Sequence, residues 1–292
     1  MGLPIHPSMA NDIDLFFEAG PRAENDARNR RREELLAELH RPLQEELRAN
    51  PRWCQLHTEW GNLLRGLCAV PYDTIEVRRE GGRGAHHDFV VQHLDGDRVV
   101  ASCLLEYKHN IARIDALPEY FSPAANKPYL PRLYADFFYD RIDELCALYP
   151  GLPPPPDRQT YVRLVHGSNY DRHPFFRALN TVRLEHAAEK RRIVCDSIRD
   201  YLHAYKDAFD IAALEADIRA RQTGKVFVMW DRTTFHADTF RDDEMALVGP
   251  IEVENDNRLV IHSRGGTRHR LLLRWKNHLG ILYPAWQISL AR

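Results

Sequence analysis

Cysteine is scarce in this chain, with five in 292 residues, at positions 54, 68, 103, 146 and 195. The number is odd, the spacing irregular, and most lie inside apolar runs. That excludes a disulfide framework and predicts free buried thiols in a reducing compartment, cytoplasmic or nuclear. Cys54 and His57 have a ligand-like spacing, but no second pair completes a zinc site. Long apolar runs are missing too. None approaches the roughly 18 residues of a membrane span, and the N-terminus lacks a signal peptide's apolar core, so no membrane is expected among the partners. Nor is there an excess of one charge, since 40 Lys and Arg against 42 Asp and Glu leave a net −2. A histone-like binder is excluded, and any contact with a polyanion must use local basic patches.

What is present describes a globular chain able to bury one large core or two modest ones, with 44% hydrophobic and 28% charged residues. Residues 1–68 read as an N-terminal helical region. One helix is expected from Arg22 to Leu47, striped by Leu35, Leu36, Leu39, Leu43 and Leu47, with the run RNRRREE as a solvated face. Pro51 opens a second helix, Trp53 to Cys68, which carries Glu59. Residues 69–292 read as one continuous domain. Its first strand is Asp73 to Arg79, and the glycines of GGRG, 81–84, form a turn or bulge. Beyond the central hairpin, Leu133, Phe137, Phe138, Ile142, Leu145 and Leu148 recur at helical spacing. Four prolines, Pro153 to Pro156, make a stiff connection to TYVRLVHG, 160–167, expected as a strand beside the hairpin. A long helical stretch over 174–221 precedes strands at 225–231, 246–254, 258–264 and 268–290. The pattern predicts an α/β (α+β) fold, a mixed β-sheet flanked by helices with additional C-terminal strands.

The hairpin is the most informative segment. Two apolar runs, HDFVVQHL and VVASCLLEYKH, flank Asp95-Gly96-Asp97, and Asp-Gly between such runs is a strong hairpin signal. Side chains alternate along a strand, so Ser102, Leu104, Glu106 and Lys108 share one face. Loop length decides whether Asp88 joins them. A two-residue loop at Asp95-Gly96 sets Asp88 opposite Cys103, on the wrong face. A three-residue loop, Asp95 to Asp97, sets it opposite Leu104, on the face of Glu106 and roughly 7–8 Å from it as a diagonal neighbour. The three-residue loop is the register expected. Two carboxylates so placed suit one hard cation, and a lysine two residues on can stabilise developing negative charge.

An acidic residue, a hairpin, then Glu-x-Lys on a strand resembles the site of the PD-(D/E)xK nuclease superfamily, the restriction-endonuclease-like fold. The similarity extends over about residues 70–145, where EYKHN, IARIDALPEYF and YADFFYDRIDELC are similar to that superfamily's lysine-bearing strand, docking segment and helix. His87 stands where the fullest motif has proline. The resemblance implies a metal-dependent endonuclease acting on double-stranded DNA, with magnesium as cofactor, manganese as its substitute, and a homodimer as one assembly open to it. It implies Asp88, Glu106 and Lys108 as catalytic residues. It also implies metal ligands from Asp88, Glu106, the backbone carbonyl of Tyr107, and Glu59 from the helix before the first strand. A nucleic-acid binder of the same fold that does not cut is the rival reading, as is a structural or interaction protein.

The C-terminal tail is the most basic part of the chain. Arg264, Arg268, Arg270, Arg274 and Lys276 are candidate DNA contacts, because each phosphate neutralised releases counterions. Trp275, Tyr283 and Trp286 lie among them as aromatics that either stack on bases or belong to the core.

Overall fold

The computed structural model describes residues 12–81, 86–123, 127, 129–167, 172–182, 184–275 and 284–292. The chain forms two compact units, one of Met1–Ala116 with Arg221–Phe240, the other of Leu117–Ala220 with Arg241–Arg292. Among the described residues no helix is long and apolar enough to cross a membrane.

The first unit begins with α1 (Asp14–Phe17), α2 (Asn25–Glu38), α3 (Glu45–Arg48) and α4 (Pro51–Gly66). The single helix expected from Arg22 to Leu47 is thus broken, because Pro42 lacks an N–H to continue it. Its leucine stripe is nevertheless buried, at 35, 36, 39, 43 and 47. The start of α4 follows from its sequence: Pro51 takes the first turn, and the Asn50 side chain accepts from the Arg52 N–H at 3.0 Å. Trp53, Leu56, Trp60 and Leu64 recur at helical spacing and are wholly buried. They pack on a five-stranded sheet of order β1 (Thr74–Arg79), β2 (Phe89–Asp95), β3 (Arg98–His109), β4 (Lys225–Trp230) and β5 (Phe235–Thr239). The β3–β4 pair is parallel and the others antiparallel. Trp60 lies 6.0 Å from the Phe89 ring and 5.2 Å from Phe235.

Alternation on β3 sorts its residues as expected. Cys103, Leu105 and Tyr107 join the helix-covered core, which leaves Leu104, Glu106 and Lys108 on the opposite face. The strand is central but not buried on both sides: Ser102 is exposed, and Glu106 and Lys108 are partly so.

The hairpin register differs from the expected one. Asp95 pairs with Arg98 around a two-residue turn, Gly96-Asp97, with Gly96 at φ 59°. Glycine in the first central position suits a turn whose twist matches the strands. Such a turn alone would put Asp88 on the wrong face. A bulge then restores the parity, because Leu94 pairs with Val99 but His93 with Ala101, leaving Val100 over. Phe89 consequently pairs with Leu105, and Asp88, one step on, faces Glu106 rather than Leu104.

In the second unit, residues 160–166 are not a strand but part of helix α7 (Arg158–His166), which ends before Gly167 and follows α5 (Tyr134–Phe138) and α6 (Ile142–Ala147). Asp157, just past the prolines, caps α7 by accepting from the Thr160 N–H at 2.9 Å, and Tyr161 and Val165 bury one helical face. Then come α8 (Pro174–Thr181), α9 (Ala187–Tyr205), α10 (Ile211–Gln222) and α11 (Asp242–Met245). An antiparallel sheet is ordered β6 (Leu247–Glu254), β7 (Arg258–Ser263), β8 (Arg268–Trp275) and β9 (Pro284–Ala291).

Candidate active site

The end of β2 and the last third of β3 gather the charges. Asp88 is fixed by its own backbone: its N–H donates to Leu105 O at 2.8 Å, and its carbonyl accepts from Glu80 N–H at 2.9 Å and Gly81 N–H at 3.2 Å. Its carboxylate curls round the strand end to accept the Tyr107 N–H at 2.8 Å. Burial there, reinforced by the negative charges of Glu33 and Glu106, pushes the Asp88 carboxyl up to about 6, with Lys108 and the Tyr107 bond working against the rise. Glu33 comes from α2 and pairs with Arg79 at 3.1 Å. A Cβ on Gly81 would lie 3.6 Å from both Asp88 Oδ1 and Glu33 Oε2, so these two carboxylates crowd one backbone position.

Glu106 is held by two lysines. Lys108 Nζ lies 2.6 Å from Oε1, and Lys225, the first residue of β4, donates to Oε2. Lys225 is only 4% exposed, also donates to His86 O at 3.1 Å, and sits 4.7 Å above the Phe227 ring. The parallel register pairs Leu104 with Lys225, which puts the ammonium one diagonal step from Glu106. Burial lowers the Lys225 pKa, and the Glu106 charge opposes that shift.

Asp88, Glu106, Lys108 and the Tyr107 backbone, named from sequence, therefore come together. Glu59 does not join them: its carboxylate accepts from the Thr234 hydroxyl beside the β4–β5 turn. The helix α4 covers the apolar face of the sheet, and Glu59 points along that layer to the hairpin tip. Lys225 and Glu33 were missed. A lysine opening an otherwise apolar strand, KVFVMW, was the available signal for Lys225. Glu33 was hidden in RNRRREE, which is not the plain solvated face expected, since Arg32 within it is 4% exposed. Cys54 and His57 are engaged with the backbone carbonyls of Arg48 and Arg41, not with each other.

The donor set can be weighed against magnesium. Among the described residues no cluster of three or more His, Cys, Asp or Glu side chains could enclose a metal. Two carboxylates and a backbone oxygen are instead the kind of partial shell that suits magnesium, which keeps several waters. All are hard oxygen donors, and Asp88 is a half-buried carboxylate crowded by the negative charges of Glu33 and Glu106.

On β8, Arg268, Arg270 and Arg274 alternate outward, while His269, Leu271, Leu273 and Trp275 are buried. Arg268 and Arg274 are exposed, and Arg270 is shared with Glu254 at 3.5 Å. Arg264 is exposed just past β7. Lys276 and Tyr283 lie outside the described residues. Trp275 and Trp286 are core residues, 7% and 4% exposed, with Trp275 5.1 Å from the Phe138 ring, so neither is a base-stacking platform.

A scan against models of protein families finds no match, and searches of curated proteins and of solved structures find none. The site's own chemistry must carry the functional reading.

Proposed function

We propose that this chain is a divalent-metal-dependent nuclease of the PD-(D/E)xK kind that hydrolyses phosphodiester bonds in double-stranded DNA. One observation carries the reading. A turn and a compensating bulge bring Asp88 opposite Glu106, with Lys108 two residues on, at the end of a central strand pair. Opposite charges gathered on the open face of a central strand, one carboxyl among them with its pKa raised, are the mark of a candidate functional site.

Asp88, Glu106 and the Tyr107 carbonyl would hold the metal. When bound, it supplies charge neutralisation at the phosphate and a lowered pKa for a coordinated water. The protein residues do the rest. The Tyr107 N–H orients Asp88. Lys225 anchors one oxygen of Glu106 from the buried side, fixing that carboxylate's rotamer. Lys108, partly exposed on the same face, positions the attacking water or stabilises charge developing on phosphate. The outward arginines of β8 would contact backbone phosphates.

Manganese titration by calorimetry tests the site directly. Wild type is expected to bind the ion and Glu106→Ala to lose it; equal binding by both, or none by wild type, removes the nuclease reading.

A further inference from the structure

A second cluster of charge lies on the helix-covered side of the same unit. Arg28 and Arg32 are one helical turn apart on α2 and share a face. Arg32, 4% exposed, donates to Leu15 O at 2.7 Å and to Asn29 Oδ1 at 2.6 Å. The adjacent carbonyl, Phe16 O, accepts from Trp230 Nε1 at 2.9 Å, so the end of α1 joins α2 to the end of β4. Arg232 stands two residues past Trp230, and His109 pairs with Trp230 across the β3–β4 ladder. The charges of Arg28 and Arg232 both act on Arg32, and all three act on His109.

Three arginines and a histidine thus converge, and among the described residues none of the three guanidiniums ion-pairs with a carboxylate. The Nε atoms of Arg28 and Arg232 are buried without a hydrogen-bond partner. A buried donor left unpaired is destabilising, and here both belong to residues whose charge acts on the same Arg32. Arg232 also holds φ at 77°, a left-handed conformation that strains a non-glycine residue. Capping the carbonyls at the end of α1 explains Arg32 and the Arg28 bond to Glu18 O at 3.4 Å. It explains neither the orphaned Nε atoms nor the strained Arg232.

We propose that Arg28, Arg32, Arg232 and His109 form a binding site for a phosphoryl group, distinct from the Asp88–Glu106 face. Guanidinium forks match the tetrahedral oxyanion, and a dianion would be drawn to positive charge that no carboxylate among the described residues neutralises. The ligand chemistry is that of a phosphate monoester or diester, whether free, terminal on a strand, or within its backbone. The inference does not depend on the nuclease reading.

Titration with inorganic phosphate in the presence of chelator, where no metal can assist, is the test. Wild type is expected to bind one phosphate and to melt at a higher temperature when phosphate is added. Arg232→Gly removes one guanidinium while relieving the left-handed backbone. It is expected to weaken phosphate binding at least tenfold without lowering the melting temperature in phosphate-free buffer. Arg28→Gln, at a half-exposed position on α2, is expected to weaken binding similarly. No phosphate binding by wild type, or undiminished binding by both variants, overturns the proposal. Duplex oligonucleotides with and without a 5′-phosphate then assign the source. A preference for the phosphorylated end, lost in Arg232→Gly, supports a terminal phosphate; equal binding weakened by Arg232→Gly supports the backbone; binding of phosphate alone supports a free anion.

Discussion

Replacing Asp88 with asparagine should stabilise the metal-free protein at neutral pH, contrary to the usual effect of mutating a hydrogen-bonded, half-buried residue. The Asp88 carboxyl is pushed up to about 6 in the folded chain, chiefly by burial and then by Glu33. In the unfolded chain it titrates near the ordinary value of about 3.9. Between these values the folded state holds a proton that the unfolded state has lost. Stability is therefore greatest below pH ~4, falls as pH rises towards 6, and is lowest above it. At about 1.4 kcal/mol per pH unit the full penalty approaches ~3 kcal/mol, less whatever partial solvent access screens. Asparagine keeps an oxygen to accept the Tyr107 N–H and removes the charge. Urea unfolding of wild type and Asp88→Asn in chelator, at several pH values from 4 to 8, measures the difference directly. The variant should be more stable by about 1–3 kcal/mol at pH 7.5, and the two should converge near pH 4. A variant less stable at pH 7.5, or a difference independent of pH, would refute the reasoning. Saturating magnesium should reverse the order, since only the carboxylate can hold it.

Other outcomes follow from the same geometry. Glu106→Ala leaves the 4%-exposed Lys225 without its anion, so it should cost about 3–5 kcal/mol, most of it recovered in the double variant with Lys225→Met; chemical denaturation of the two single variants and the double gives the coupling. Magnesium affinity should fall roughly tenfold per pH unit below pH 6, where a proton must leave Asp88 first, which calorimetry in buffers of different ionisation heat will register. Calcium should support DNA binding without efficient cutting, because its looser coordination does not hold water and phosphate in line; filter binding and gel assays check both halves. Changing Arg268, Arg270 and Arg274 together to alanine should flatten the salt dependence of DNA binding by about 0.9 in log–log slope per lost phosphate contact, and superimposable isotherms would leave that face as scaffold.

Much of the arrangement was legible from local rules. Strands β1 to β4 and the Asn50–Pro51 start of α4 follow from side-chain alternation and helix-start chemistry, and the shared face of Asp88 and Glu106 was expected as well, through a different turn. The mechanism of that shared face was not legible: a two-residue turn plus a bulge at Val100 gives the same face as the three-residue loop expected, and nothing in VVASC marks the extra residue. Residues 160–166 carry the β-branched and aromatic content of a strand, yet Asp157 and the Tyr161–Val165 spacing make them part of α7. The short strand β5 was unread because FHADT lacks an apolar pattern. Lys225 and Glu33 reach the site only through contacts distant in sequence, a parallel crossover for one and α2 docking on β1 for the other. Periodicity cannot announce such neighbours.

The most direct measurement is cleavage of supercoiled plasmid by the purified protein in magnesium, with the ends mapped. Wild type should produce nicked and linear DNA that chelator prevents, while Asp88→Asn, Glu106→Gln and Lys108→Met, each folded by circular dichroism, should produce none. Cutting that persists in chelator, or in the Asp88 or Glu106 variant, would contradict the assignment of this site.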